Sequence, residues 1–333
     1  MASFSKTQAS LAEHQLALVW GAWVELGVSG WQRTHADWAI DPEPLIIATA
    51  RLGDADPRLR DEALDWCIHN WRYVSRVRLK NLLRAESDEV RDAWGPFAAT
   101  VSHHAGIQWP GATDAFRYTM TGRSLFESME QPSRAWVRLR GMFGLGARTE
   151  IIRYFLSRKR RATVATIAAS VGYAKRNVAE ECDALAKAGV LRSQQVANRF
   201  YYALARRDAL EDFVGEIAPV RLDWSALFAV TNALVALEEM SQELSHAALM
   251  VEAHRVAQMI EVDLDRLGID ERPNHTRPEN YWSSIRDFAQ RYMGAWAVGE
   301  WEPSDEGVAV MTRRRVPPKP VVRGRLVPIE RGS

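Results

Sequence analysis

The chain has 333 residues, of which 47% are apolar, and its 43 basic and 42 acidic residues leave a net charge of +1. This composition excludes a disordered chain and predicts two or three globular domains, since domains cluster around ~100–150 residues. Only two cysteines are present, Cys67 and Cys182, which excludes a disulfide scaffold and favours buried thiols in a reducing cytoplasm.

The first predicted region is a helical N-terminal domain over residues 1–140. Ser10 precedes an apolar pattern of helical spacing and is a candidate N-cap. Pro42 and Pro44 are expected to open a second helix, because proline fits the first turn of a helix. Asp56, directly before a proline, is expected to start a third helix. The thirteen tryptophans are scattered singly, which favours core packing over a binding stripe.

A second helix-turn-helix is one interpretation of residues 57–84. Ser75 is a good N-cap for the helix VRLKNLLR, in which basic and apolar residues alternate. The alternative is a helical hairpin with a solvated basic face. The candidate DNA-binding residues of this segment are Arg72, Arg76, Arg78 and Lys80. Residues 41–84 contain the pattern DPEPLIIATARLGDADPRLRDEALDWCIHNWRYVSRVRLKNLL. On this pattern, which carries no catalytic residues, the segment also resembles the leader of bacterial regulators that accompany nucleotidyltransferase-type toxins.

The stretch 85–135 is predicted to be irregular, except for a helix near residues 92–101. His103 and His104 are adjacent in sequence, and adjacent side chains do not converge on one ligand, so no metal site is expected. The glycine-rich segment 141–146 is interpreted as a hinge.

Residues 147–204 are predicted to form three helices followed by a two-stranded ribbon. Thr163 is the expected N-cap of the second helix, and Gly172 lies in the turn before the third. The third helix is expected to end at Gly189. Two strands then follow, joined by a tight turn in which Asn198 would tolerate a positive φ.

This stretch resembles the winged helix-turn-helix regulators of the ArsR and MarR type. The residues that carry the resemblance are TIAASVGYAKRNVAEECDALAKAGVL and the later RFYYAL. The resemblance implies that the third helix enters the major groove of DNA. One departure is that the middle of this helix carries Glu180 and Glu181, with Asp183 just beyond, where the family usually has Ser, Arg or His.

Charge supports a nucleic-acid partner for this segment. Eleven basic and four acidic residues give 147–204 a net charge of +7, in a chain whose total is +1. Concentrated positive charge is the electrostatic signature of phosphate binding. The candidate DNA-binding residues are Lys175, Arg176 and Asn177 at the start of the third helix, Arg160, Arg161, Ser170 and Tyr173 toward phosphates, and Gln194, Gln195, Asn198 and Arg199 in the wing.

The C-terminal region, 205–300, is predicted to be a helical domain for dimerisation or effector binding. One long helix is expected over 244–267, and its wide apolar surface predicts packing on two sides and a homodimer. From residue 302 onward the chain is rich in Arg and Pro, which is typical of a disordered basic tail.

No nucleotide-binding, nucleophile or metal-ligand motif occurs in the sequence, so neither an enzyme nor a cofactor is expected. No apolar run reaches ~18 residues, and no signal peptide is recognised, so we expect a cytoplasmic protein that does not cross a membrane. The predicted fold is mainly α, with a central winged helix-turn-helix, a small β-wing and flanking helical domains. The predicted function is a transcriptional regulator that binds double-stranded DNA. The alternative is an antitoxin-like or other module that binds a partner protein, which the acidic third helix favours.

Overall fold

The computed structural model describes residues 9–30, 33–124, 128–273, 276–302 and 310–311. Within these ranges the chain is mainly helical, with a small three-stranded antiparallel sheet and one short strand pair near the end. The helices are α1 Leu11–Glu25, α2 Pro42–Leu52, α3 Pro57–Asn70, α4 Arg76–Leu83, α5 Asp88–Ala105, α6 Ala135–Phe143, α7 Ala147–Ser157, α8 Val164–Val171, α9 Lys175–Lys187, α10 Arg207–Val214, α11 Trp224–Met240, α12 His246–Met259, α13 Glu261–Leu267 and α14 Tyr281–Ala297. The strands are β1 Ala162–Thr163, β2 Leu191–Val196, β3 Arg199–Leu204, β4 Trp301–Glu302 and β5 Val310–Met311.

The helix starts that depend on side-chain caps are confirmed. The hydroxyl of Ser10 accepts a hydrogen bond from the Glu13 amide, 3.2 Å away, at the start of α1. Asp56 caps α3 and Ser75 caps α4 in the same way. Thr163 accepts from an amide in the first turn of α8. These caps are local, because a side-chain oxygen satisfies a helix amide two or three residues further on.

Three expectations for helix boundaries are wrong. Helix α5 covers Asp88–Ala105, well beyond the expected 92–101. Helix α6 was not expected, and it includes the first three residues of the supposed hinge at 141–146. The sequence of α6 does not show a continuous apolar side, because one of its buried residues is the charged Arg140. The single helix expected over 244–267 is two helices, α12 and α13, that meet at Ile260.

The first hydrophobic core is built jointly by the two ends of the chain. Buried side chains from α1–α5 and from α11–α14 form one cluster, in which α1 lies against α14. The sequence predicts separate N-terminal and C-terminal helical domains, whereas in the structure these helices share one interior. Nine tryptophans of the described chain are less than 2% exposed, which confirms their role in core packing.

The second core belongs to the middle of the chain. It is formed by α6 through α10 together with the sheet. The strand order is β1-β3-β2, and β3 pairs antiparallel with both neighbours, so that Tyr202 faces Ala162 on one side and Ser193 on the other. The expected two-stranded ribbon therefore has a third strand. Ala197, and not Asn198, takes the positive φ of 51° in the hairpin turn.

A buried cluster of charged side chains joins the two cores. Arg78 on α4 holds Asp41 with two hydrogen bonds of 2.7 Å. Arg140 on α6 donates to Glu43 at 2.7 Å and to Glu150 of α7 at 2.9 Å. We call this set the ion cluster, and its members are Asp41, Glu43, Arg78, Arg140, Glu150 and Arg153. It fixes the middle of the chain against α2 and α4.

Candidate nucleic-acid interface

The start of α9 presents polar side chains to solvent. Lys175, Arg176 and Asn177 are all exposed, while Val178 and Cys182 are buried and anchor the helix to α7 and α8. The residue before the helix, Ala174, supplies no side-chain cap. The first-turn amides therefore keep their partial positive charge, which favours an anion at this end.

The acidic residues of α9 have partners within the chain. Glu180 accepts from Arg176 Nε at 2.9 Å, one turn earlier on the same helix. Glu181 accepts from Arg148 Nε of α7, also at 2.9 Å. The Tyr202 hydroxyl donates to Asp183 at 2.6 Å. The negative charges that departed from the family pattern are thus partly compensated, although the Arg176–Glu180 pair is fully exposed to solvent screening.

The β2–β3 hairpin carries the predicted wing residues. Gln194, Gln195, Asn198 and Arg199 are all exposed. Arg161 donates to Gln194 at 2.7 Å and lies over the ring of Tyr201 at 5.1 Å, so this basic side chain is held against the hairpin.

Two exposed apolar side chains on the same hairpin were not singled out from the sequence. Phe200 is 53% exposed and Val196 is 40% exposed. Phe200 lies directly opposite Gln195 and Val196 lies opposite Arg199, so the two apolar side chains are on opposite faces of the hairpin. Phe200 lines an open groove of about 720 Å³ between the hairpin and α9, together with Lys175 and Arg199.

The residues expected to steady phosphates differ in their surroundings. Arg160 is exposed and Ser170 is half-buried. Tyr173 is also half-buried, and its hydroxyl lies 3.0 Å from the Ser75 hydroxyl of the α4 cap. Burial raises the pKa of Tyr173, an effect that this contact with Ser75 opposes. Tyr173 therefore docks α4 against the turn between α8 and α9.

The basic residues of the N-terminal segment separate into two groups. Arg72, Arg76 and Lys80 are exposed. Arg78 is only 3% exposed and belongs to the ion cluster, so its assignment to a DNA-binding face is wrong. Its side chain points inward because α4 is amphipathic, with Arg78 beside Leu79 on the buried side. Arg84 continues the four-residue spacing of Arg76 and Lys80 and is also exposed, so the structure adds it to the predicted cations of this segment.

Metal-binding clusters and membrane-spanning helices are absent from the described ranges. No group of three or more His, Cys, Asp or Glu side chains there could hold a metal ion. In those same ranges, none of the helices combines the length and the apolar character that a bilayer crossing requires. The arginines of the predicted basic tail beyond Met311 lie outside the described residues.

Comparison with known proteins gives no match among protein-family models, curated proteins or solved structures.

Proposed function

We propose that this protein is a cytoplasmic transcriptional regulator that binds double-stranded DNA through residues 147–204, folded as a winged helix-turn-helix of the ArsR or MarR type. The observation that carries the proposal is the element order α7-β1-α8-α9-β2-β3 with sheet order β1-β3-β2, combined with the net charge of +7 in this segment. The cytoplasmic location is supported by two free, buried cysteines, and the location of a fluorescent fusion protein checks it.

In this proposal the start of α9 enters the major groove. Lys175, Arg176 and Asn177 are exposed there and would reach base edges, while the helix amides favour a nearby phosphate. Arg199 and Asn198 on the hairpin would contact the neighbouring backbone, and Arg161 would contact phosphates beside them. Phosphate contacts set the position of the protein, and base contacts supply the sequence preference.

We predict that the protein binds duplex DNA. Fluorescence anisotropy tests this, first with pooled genomic fragments and then with a selected duplex. We expect binding that weakens steeply with salt, because each neutralised phosphate contributes a log–log slope of roughly −0.9. The double variant Lys175→Ala with Arg176→Ala should lose about 1–3 kcal/mol per base contact and should discriminate less between sequences.

Lys187→Ala is the matched control, since Lys187 is an exposed cation at the opposite end of α9. It should retain the sequence preference of the wild type. Absence of any DNA binding at low salt would refute the proposal. Full affinity and full preference in the double variant would refute α9 as the reading helix.

The alternative is a module that binds a protein, such as an antitoxin-like partner of a neighbouring gene product. The specific observation in its favour is the exposed aromatic side chain of Phe200 on the hairpin, since aromatic side chains commonly anchor protein interfaces. Co-expression with the neighbouring gene product distinguishes the two proposals. A stable complex that Phe200→Ser abolishes, in a protein that binds no DNA at low salt, would favour this alternative.

A further inference from the structure

A cationic groove lies between α4 and the start of α9. It is open to solvent and has a volume of about 660 Å³. One wall is α4, with Arg76, Lys80 and Arg84, and the opposite wall includes Ala174 and Asn177 at the start of α9. The sequence predicts candidate DNA-binding residues in both segments, and in the structure the two segments line the same groove.

The three cations form a regular row, with Arg76 and Lys80 on α4 and Arg84 at its C-cap. Arg76, Lys80 and Arg84 are four residues apart, which brings them to one side of the helix with a rise of ~6 Å between neighbours. The other side of α4 is buried through Leu79 and Leu83. The row therefore faces solvent along its whole length.

The position of this row relative to α9 is fixed by direct contacts. The Asn81 side chain donates to the Gly172 carbonyl at 2.6 Å, in the turn that leads to α9. Ser75 contacts Tyr173 at 3.0 Å in the same turn. The buried Arg78 ties α4 to the ion cluster, which also includes α7. A ligand that contacts both walls would meet a preformed surface.

The charge of the groove is uncompensated within its walls. None of the described residues that line it is acidic. The hydrogen-bond acceptors of its arginines are neutral: Arg84 donates to the Asn81 side chain at 3.2 Å, and Arg76 reaches the Gln108 carbonyl at 3.5 Å. Beside them lie the first amides of α9, which Ala174 leaves without a side-chain cap. A polyanion is therefore the ligand that this groove fits.

We propose that the groove binds the phosphate backbone of the same DNA duplex whose major groove receives α9. In this arrangement α4 contacts the phosphate backbone beside the base pairs that α9 contacts in the major groove. The row of cations matches a chain of phosphates and carries no group that would distinguish base pairs, so it contributes affinity without sequence preference. This inference rests on the proposed function, because it requires that the protein bind DNA through α9.

The test compares wild type with the triple variant Arg76→Gln, Lys80→Gln and Arg84→Gln. Anisotropy is measured from low to physiological salt on a selected duplex and on a scrambled one. We expect affinity for both duplexes to fall by about tenfold or more, with the ratio between them unchanged. The magnitude of the salt slope should fall by about 2–3, since each lost phosphate contact removes about one.

A control triple variant loses the same number of positive charges elsewhere on the helical body. It consists of Arg58→Gln, Arg286→Gln and Arg291→Gln, all exposed side chains on α3 and α14. It should bind both duplexes as the wild type does, with the wild-type salt slope. Circular dichroism and thermal unfolding check the fold of both variants, and the single variant Lys80→Gln provides the same test should the triple variant unfold.

Shortening the duplex on one flank gives a second measurement. We expect the wild type to lose affinity when the base pairs beside the α4 row are removed, and the triple variant to lose none. Wild-type affinity and salt slope in the triple variant would overturn the inference while leaving the proposed function intact. A wild type that binds no DNA would overturn both, so the two failures are distinguishable.

Discussion

At the scale of single residues, His35 is the buried group whose surroundings are most restrictive. Its Nε2 donates to the Trp296 carbonyl at 2.7 Å, and its Nδ1 lies 2.8 Å from the Thr34 hydroxyl. The imidazole ring packs against the Trp38 ring in a T-shaped arrangement, with 4.8 Å between the ring centroids. On the α1 side only glycine fits, since a Cβ at Gly21 would lie 2.2 Å from the ring. The neutral imidazole is thus enclosed between α1 and α14.

We predict that this histidine makes the fold sensitive to mild acid. Burial lowers the pKa of His35 to about 4, although the hydrogen bond to Trp296 opposes the shift. In the unfolded chain His35 takes up a proton near pH 6.5, whereas in the folded chain it does so only near pH 4. The contribution to stability is therefore complete above ~6.5 and is lost as the pH falls toward ~4, amounting to about 3 kcal/mol.

Urea unfolding across this pH range measures the effect. His35→Gln should show a smaller fall in the free energy of unfolding over the same range than the wild type does. His104→Gln is the control for the loss of a histidine, because His104 is exposed. An identical pH dependence in His35→Gln and wild type would contradict the prediction.

At the scale of secondary-structure elements, α12 and α13 leave an apolar surface uncovered. Val251 is 70% exposed, Met259 is 51% exposed and Val262 is 67% exposed, and Ala247 is exposed one turn before Val251. The buried side of the same helices, including Val256 and Leu264, belongs to the first core. This two-sided character supports the proposal that a second copy of the chain packs on α12 and α13. A symmetric dimer would also suit a palindromic DNA site.

We predict that Val251→Glu with Val262→Glu converts a dimer into a monomer of 37.6 kDa, as measured by light scattering. The reason is that two buried carboxylates at a symmetric interface would lose hydration without gaining partners. Val298→Glu is the control, since Val298 is 47% exposed and lies beyond α14. A wild type that stays monomeric at micromolar concentration, with and without DNA, would contradict the dimer.

At the scale of the whole molecule, the ion cluster connects the shared helical core to the proposed DNA-binding segment. Burial would raise the pKa of Asp41, but Arg78 and Arg153 outweigh it and hold that pKa well below its usual range. For Glu150 the same balance between burial and the neighbouring arginines lowers the pKa to about 2. Burial raises the pKa of Glu43, although Arg140 and Arg78 oppose the shift.

We predict that Arg140→Ala destabilises the protein by about 3–5 kcal/mol, because it leaves the buried carboxylates of Glu43 and Glu150 with fewer partners. Urea unfolding measures the change. Arg291→Ala, which removes an exposed pair with Glu271, should cost less than about 1 kcal/mol. Equal effects of the two substitutions would show that the ion cluster has no special role in stability.

Much of the local structure is determined by the sequence alone. The sequence predicts the caps at Ser10, Ser75 and Thr163, the helix start at Asp56 and the turn at Gly172, since each depends on neighbours within a few residues. The buried stripe of α9 follows in the same way from its spacing. The exposed cations at the start of α9 could likewise be named, because they alternate with that stripe.

Only the tertiary structure decided how distant segments meet. Strand β1 has two residues and exists because β3 pairs with it, so no local pattern could reveal it. Arg78 and Lys80 look alike in the sequence, yet Asp41 and Glu43 draw one of them into the interior. The groove between α4 and α9 joins residues about a hundred positions apart. Such contacts depend on the packing of the whole chain, because the free energy that stabilises them comes from partners that the local sequence does not contain.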